Sequence, residues 1–324
     1  MNDGHFMAFI HGLLTLIDEF VKLKNMATNN PAKKYIQELK AQYDFLRQGK
    51  ESLLAMIDEA EIPENVYNSN AIENSTLTLK ETEKILLEQE LSRDVSLREV
   101  FEAKNLARVI TYKRDISQNH EFSKELILLL HQMLIGGIDD NIAGRFRKKS
   151  EFVRVGTHIA PAPEHVERMM ESTLLEYSSD VNSYFLDKIA KFHLDFETIH
   201  PFVDGNGRIG RVFTNFQLIS LGFPRIIIRD KEKDIYYQAF RDYRENKNTK
   251  TMEKILTLAL TESFHKRIAY LKGEVIITLS DYIKKNRLSA PAITNAARRQ
   301  TIPAFRERGI WKIGEGFKYK NNKP

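Results

Sequence analysis

HPFVDGNGRIGR, residues His200 to Arg211, decides how this chain is read. It sets a histidine, an acid, an asparagine, three glycines and two arginines in one short run. Upstream, Phe185, Ile189, Phe192, Phe196 and Ile199 recur near helical spacing, so a helix over 184–199 delivers His200 from the core into a loop. Downstream, Val212, Phe213, Phe216, Leu218 and Ile219 predict a second helix that ends at Gly222, before Pro224. Gly205, Gly207 and Gly210 let the backbone come close to a ligand with no Cβ in the way. Free N–H groups at the start of the second helix then make a seat for phosphate. Arg208 and Arg211 are spaced i, i+3 on one face and can reach one polyphosphate. Asp204 suits a hard cation such as Mg²⁺ bound to phosphate oxygens, and His200 is a candidate base beside them. A glycine-rich turn before a core helix, the plain reading, gives no reason for an acid and two arginines around that turn.

Position for position, the run resembles the signature of the Fic family: His, any, Phe, any, acid, Gly, Asn, Gly, Arg, any, any, Arg. The resemblance extends over about residues 69–260. It implies a mainly α fold, a Fic-type helical core with a small β-hairpin flap. It implies a protein adenylyltransferase that moves AMP from ATP to a Ser, Thr or Tyr hydroxyl of a target protein or of itself, with Mg²⁺ or Mn²⁺ as cofactor. In that reading His200 takes the hydroxyl proton, and Asp204 holds the metal on the α- and β-phosphates. Asn206, with the N–H groups of Gly205 and Gly207, stabilises charge on the α-phosphate. Arg208 binds the phosphate chain and Arg211 the γ-phosphate, Ile209 and Gly210 complete the nucleotide-binding run, and Phe202 anchors the loop. Other Fic activities implied are transfer of a different phosphate-containing group and removal of AMP.

Three further stretches take meaning from the resemblance. In NSNAIEN, Asn68 to Asn74, the residues alone suggest a short capped helix ending near Asn74, with Thr78 and Glu81 capping the next. Many Fic proteins carry an inhibitory helix of pattern Ser or Thr, three residues, Glu, then Gly or Asn, which Ser69, Glu73 and Asn74 match. Glu73 would then pair with Arg211 inside the ATP site and leave the α-phosphate misplaced for attack. Between Gly144 and Val166, Glu151 to Gly156 has strand character, and Pro161 and Pro163 break it. Here the family places its flap, and Val153, Arg154, Val155 and Gly156 carry over as residues against the nucleotide and the target backbone; an ordinary edge hairpin is the other reading. Tyr236 and Tyr237 match the pair that flanks adenine, with core packing as the alternative. Arg244 stands where relatives often have an asparagine.

Composition bounds the rest. The chain has 324 residues, 42% hydrophobic and 29% charged, enough for two or three domains with a sizeable core. It has no cysteine, which excludes disulfides, thiolate metal sites and a cysteine nucleophile and suits a cytoplasmic setting. No run has the length of a membrane span, and Phe6 to Ile17 reads as an amphipathic helix rather than a signal peptide. His193 and Asp195 belong to no metal-ligand pattern, His158 reads as a surface residue, and there is no GxxxxGK[ST] loop. Leu13, Leu14, Ile17, Phe20 and Val21, and then Tyr35, Leu39, Tyr43 and Leu46, predict N-terminal helices broken at Asn29 to Pro31. Residues 80–135 read as helical, with Leu86, Leu87, Leu91 and Leu126 to Leu134.

Charge is uneven: residues 264–324 carry 14 Lys+Arg against 4 Asp+Glu, a balance of +10, which leaves −5 for the other 263 residues of a chain whose net charge is +5. Val275 to Lys285 reads as a helix, Ser289 to Arg299 as another, Thr301 to Arg308 as a third, and Ile310 to Lys320 as a hairpin around Gly314-Glu315-Gly316. Helices followed by a hairpin with a basic face resemble a winged helix-turn-helix module. Nucleic acid through Arg298, Arg299, Arg306 and Arg308, or a docked protein, are its candidate partners. A DNA-binding regulator with a vestigial Fic core is therefore the rival function, and a homodimer a candidate assembly. The expected domains are 1–118, a helical region carrying the inhibitory helix at about 69–74; 119–262, the catalytic core; and 263–324, the basic module.

Overall fold

The computed structural model describes residues 30–88, 95–112 and 122–319. The helix expected around Leu13 to Val21, and Leu91, lie outside those residues. Asn30 accepts from the N–H groups of Ala32 and Lys33 and Pro31 sits in the first turn, so the Asn-Pro break is the start of α1, Pro31–Leu46. α2, Glu51–Ala60, and α3, Ile62–Ile72, follow. Thr78 and Glu81 form the expected reciprocal capping box of α4, Leu79–Glu83, which continues into a π turn, Lys84–Glu88. Then come α5, Leu97–Thr111; α6, Lys124–Ile135; α7, Pro163–Ser179; α8, Phe185–Ile199; α9, Asn206–Ser220; α10, Lys233–Asn246; and α11, Lys250–Leu271.

α8 is the centre of this arrangement. Phe185, Ile189, Ala190 and Leu194 pack into a core shared with α1, α10 and α11. Phe192, Phe196 and Ile199 face a second core built from α5, α6, α7 and α9. A helix apolar on most of its surface must be enclosed, and enclosure fixes where its C-terminus points. Between α6 and α7, β1, Arg154–Val155, pairs antiparallel with β2, His158–Ile159, in the register Arg154 to Ile159 and Val155 to His158. Gly156, with φ at +59°, makes the turn.

The C-terminal unit differs from its sequence reading in three places. Ile276–Thr278 is a strand, β3, and only Leu279–Asn286 is helical, as α12. α13 spans Ala290–Arg298. Thr301 to Arg308 holds no helix: Phe305–Glu307 is β4, paired with β5, Ile310–Gly314, and the sheet order is β3-β5-β4. The hairpin turn is therefore Arg308-Gly309, both at positive φ, and not Gly314-Glu315-Gly316. Two consecutive positive-φ residues suit the right-handed twist of a two-residue hairpin. α11 runs unbroken through residues 262 and 263 and packs against both α1 and β4. Among the described residues no helix is long and apolar enough to cross a membrane.

Candidate active site

The chemistry of 200–211 becomes a site because one helix ends and another begins there. α8 stops at His200, whose φ of 50° and ψ of 62° turn the chain out of the helix. Gly205, at φ 82°, turns it back into α9. Asn206 closes the loop: its Oδ1 accepts from the N–H of Phe202 and its Nδ2 donates to the Phe202 carbonyl, both at 2.9 Å. That geometry revises the reading of Asn206. Its side chain is buried and committed to the loop, which leaves the backbone N–H groups at the start of α9 to face a ligand.

Two residues not singled out in the sequence hold the loop from outside. His131 on α6 stacks on Phe202 with centroids 3.6 Å apart. Its Nδ1 accepts from Gly144 N–H and its Nε2 donates to the Asp204 carbonyl, each at 3.0 Å, and burial pushes its pKa down to about 4. Arg147 donates to the carbonyls of His200 at 2.8 Å, Glu151 at 2.9 Å and Pro161 at 2.9 Å, so it ties the loop to the stem of the β1–β2 hairpin. A histidine inside the apolar run from Leu126 to Leu134 was a signal in the sequence; Arg147 had none.

The charged groups pair locally. Asp204 Oδ1 accepts from Gly205 N–H at 2.6 Å and from Arg208 at 3.1 Å, and Oδ2 from Arg98 at 2.5 Å. Glu102 joins Arg98 at 3.1 Å and Arg208 at 3.2 Å and closes a ring of two acids and two arginines. Among the described residues no group of three or more His, Cys, Asp or Glu could hold a metal ion. A single half-exposed carboxylate at a phosphate seat still fits the way Mg²⁺ is bound, by one or two carboxylates plus substrate oxygens.

Arg211 is buried and meets the end of α3. It donates to Ser69 Oγ at 2.9 Å, the Ser69 carbonyl at 2.8 Å and Glu73 Oε1 at 2.9 Å. Glu73 caps α3, and Asn74, at φ 66°, turns the chain away behind it. The carboxylate lies over Gly207: a Cβ there would stand 2.0 Å from Glu73 Oε1. Glu73 thus occupies the anion seat at the start of α9, where any other anion must compete with it. The tyrosine pair divides. Tyr236, 1% exposed, points its hydroxyl at Arg211, 3.4 Å away, and at His193 Nε2, 2.7 Å away, and supports the arginine instead of offering a face to a base. Tyr237 is half-buried and donates to the Ile72 carbonyl at 2.7 Å.

These groups surround one cavity of about 540 Å³, lined by Glu73, Asn74, Val155, Gly156, Thr157, Glu197, His200, Gly207, Arg211, Tyr236, Tyr237, Phe240, Arg241 and Arg244. Of the residues expected at the nucleotide, Val153, Arg154, Asp204, Gly205, Asn206, Arg208, Ile209 and Gly210 lie outside that lining. The hairpin is fixed over the cavity by His158, whose Nε2 meets the Thr198 carbonyl at 2.9 Å. Burial holds the His200 pKa down at about 4, against the opposing charge of Glu73, so the imidazole is neutral and free to accept a proton. In the C-terminal unit Arg298 and Arg299 are exposed, whereas Arg306 is spent on Glu262 and Glu232 and stacks over Trp311. Arg306 is therefore withdrawn from the basic surface, and Arg308 pairs with Glu83.

Comparison with known proteins finds Fic-domain relatives. The family model described as Fic/DOC family matches residues 121–218. A protein adenylyltransferase Fic of Nematostella vectensis is 32% identical over 180 residues, 54% of this chain and 42% of that protein. One of Drosophila sechellia is 30% identical over 267 residues, 77% of this chain and 52% of its own length. The chain spans about half or less of the curated relatives it matches. A Fic-domain signaling protein of Bacteroides thetaiotaomicron superposes with a TM-score of 0.66 at 24% identity, over 74% of this chain and 97% of that one. Fic-1 of C. elegans does so at 0.63 and 22%, over 83% and 78%. The chain has the Fic fold and carries a Fic/DOC-family domain over residues 121–218, which includes the motif loop described above.

Proposed function

We propose that this protein is a protein adenylyltransferase that moves AMP from ATP to a Ser, Thr or Tyr hydroxyl and is restrained by Glu73. The observation that carries the reading is the placement of His200, the start of α9 and Arg211 around one cavity, with the Glu73 carboxylate seated on that arginine. His200 accepts the hydroxyl proton as the oxygen attacks the α-phosphate in line, and pyrophosphate leaves. The Gly205 to Gly207 backbone and Arg208 orient the phosphates, and Arg211 takes the terminal phosphate once Glu73 has moved. A Mg²⁺ or Mn²⁺ ion held by Asp204 would neutralise phosphate charge. The cysteine-free sequence suits a cytoplasmic setting, and the substrate is a protein, with self-modification and a homodimer as further proposals. We place the functional division at residues 1–118, 119–262 and 263–324.

The test uses α-labelled ATP with wild type, Glu73→Gly, and Glu73→Gly with His200→Ala. Wild type should label weakly, the single variant at least tenfold more, and the double variant not at all, since general-base catalysis is worth about 10²–10⁴-fold. Equal labelling of wild type and Glu73→Gly would remove the restraint. Labelling only from another phosphate-containing donor, or release of AMP from a modified target, would move the assignment within the family.

A nucleic-acid contact is a compatible second property. Lys284, Arg287, Arg298 and Arg299 are exposed on and beside α12 and α13, in a helix and strand order like that of a winged helix. Absence of a gel shift with the full chain would set that property aside, and a shift unchanged by Arg298→Ala with Arg299→Ala would move it off this face.

A further inference from the structure

Glu197 has no task in the chemistry above. It lies one turn before His200 on α8 and is 8% exposed. Its Oε2 is 3.7 Å from His200 Nδ1. Its Oε1 is buried and has no hydrogen-bond partner among the described residues. Gly210 makes the room for it, since a Cβ there would stand 2.8 Å from that oxygen. No lysine or arginine is in ion-pair contact with it among the described residues. Enclosing a carboxyl without a full set of partners costs far more than enclosing a leucine of similar size. On α8 the other buried polar side chain, His193, has the Tyr236 hydroxyl as a partner, so Glu197 is the group carried at a penalty, and it lies beside the base.

We propose that Glu197 is a positioning residue for His200: it faces the Nδ1 edge of the ring and, as a carboxylate, balances the positive charge His200 gains on taking the substrate proton. This rests on the AMP-transfer reading. In the step, the hydroxyl O–H bond breaks and its proton goes to Nε2, the ring nitrogen not facing Glu197. The oxygen bonds to the α-phosphorus, the bond to the bridging oxygen breaks, and pyrophosphate leaves with that electron pair. Glu197 takes up no proton and acts only through its charge and position.

The surroundings make that charge conditional. Facing Glu197 are Glu73 from the end of α3, Arg211 on α9, Tyr236, Tyr237 and Arg244 on α10, and His193 and His200 on its own helix. Facing His200 are also Arg147 and His158. Burial and then the Glu73 carboxylate push the Glu197 pKa up to about 8, so with Glu73 seated the acid is mostly neutral at pH 7. Withdrawal of Glu73 removes the second cause, and Glu197 ionises at lower pH. Glu73 would then restrain the enzyme twice, by occupying Arg211 and by discharging the partner of the base.

The experiment compares full-length Glu73→Gly with Glu73→Gly/Glu197→Gln. Self-labelling from α-labelled ATP is measured between pH 6 and 9, and His200 is titrated by NMR in the same proteins. The rate of the single variant should rise with pH by about tenfold, the span of one unit of ionisation, while the double variant is slower and flat. The His200 pKa should fall in the double variant. A loss equal at every pH, or an unmoved His200 titration, would make Glu197 a packing residue only and overturn the proposal. If neither protein transfers AMP, the reading of the reaction fails, and the His200 titration still decides whether Glu197 acts on the ring.

Discussion

The two ends of α3 are each fastened to a buried arginine, and the fastenings differ in kind. Near its start, Glu64 accepts from Arg229 at 2.5 Å and from the N–H groups of Arg308 and Gly309 at 3.0 Å. Arg229 also donates to Glu262 at 2.9 Å, and Glu262 is gripped by Arg306. Every side chain in that set of three, Glu64, Arg229 and Glu262, is buried. At the other end Arg211 is just as enclosed, but its carboxylate partner, Glu73, is 37% exposed and borders the cavity. One arginine is closed off by protein on all sides, and the other is closed by a group that water and anions can reach. The same ion-pair chemistry yields a permanent anchor where both partners are dehydrated and an exchangeable one where a single partner is.

The largest expected effect tests the anchor. Arg229→Ala leaves Glu64 buried with no cation beside it and takes one of two arginines from Glu262, and should cost about 3–5 kcal/mol in urea unfolding. Glu64→Gln keeps the shape and should cost less, with self-labelling still at the wild-type level. Glu73→Gly should do the reverse, raising labelling with little change in stability. A rise in labelling from Glu64→Gln would mean that the anchored end also governs the exchangeable one, through the Arg308-Gly309 turn of the C-terminal unit.

Glu197 extends the comparison to an enclosed charge with no full set of partners. Its folded pKa, about 8, lies above its ordinary value, 4.5. The unfolded chain therefore releases this proton first as pH rises. Stability is undiminished below pH 4.5, falls through the window from 4.5 to 8, and is level above it. Glu197→Gln should match wild type near pH 4.5 and exceed it by roughly 5 kcal/mol at pH 9, an order-of-magnitude figure from the size of the shift. Parallel curves for the two proteins would show that a partner compensates the carboxylate after all.

What could be read from the sequence follows the range of the interaction. α8, the turn at Gly205 and α9 rest on local periodicity and on glycines, and all three stand where the residues put them. The pairing of Glu73 with Arg211 joins residues far apart in the chain, and only the family resemblance brought them together. Arg147 and the Glu64–Arg229 anchor carry no local pattern, since an ion pair between distant segments leaves no spacing to detect, and the i, i+4 spacing of Arg98 and Glu102 does not point to Asp204 or Arg208. Glu197 did leave one: an acid on the mostly apolar inward face of a core helix, one turn before the histidine. The C-terminal unit was misread where two signals compete. Gly314-Glu315-Gly316 has the composition of a turn, yet Arg308-Gly309 is the hairpin, because Glu307 pairs with Ile310 and leaves two residues to close it. The two readings of Tyr236, adenine contact and core packing, stayed open in the sequence for a related reason: aromatic identity is visible there, but which way the ring faces is not.

Opening the exchangeable end should cost little. Arg211→Ala frees Glu73 to turn into water and leaves Ser69 to bond elsewhere, for about 1–2 kcal/mol, while abolishing labelling in the Glu73→Gly background.

The smallest effect belongs to the ring at Asp204. Arg98 reaches Asp204 and Glu102 with a side chain 57% exposed, and its partner Asp204 is 34% exposed. Both arms of that contact are hydrated and the arginine gives up rotamer freedom to hold them, so Arg98→Ala should change unfolding free energy by no more than about 0.5 kcal/mol. Arg208, buried in the same ring and paired with the same two acids, should not tolerate the change as easily. If Arg98→Ala instead destabilised the protein as much as Arg211→Ala does, solvent access would not be what separates an anchor from an exchangeable contact. The distinction between the two ends of α3 would then have to rest on the number of hydrogen bonds alone.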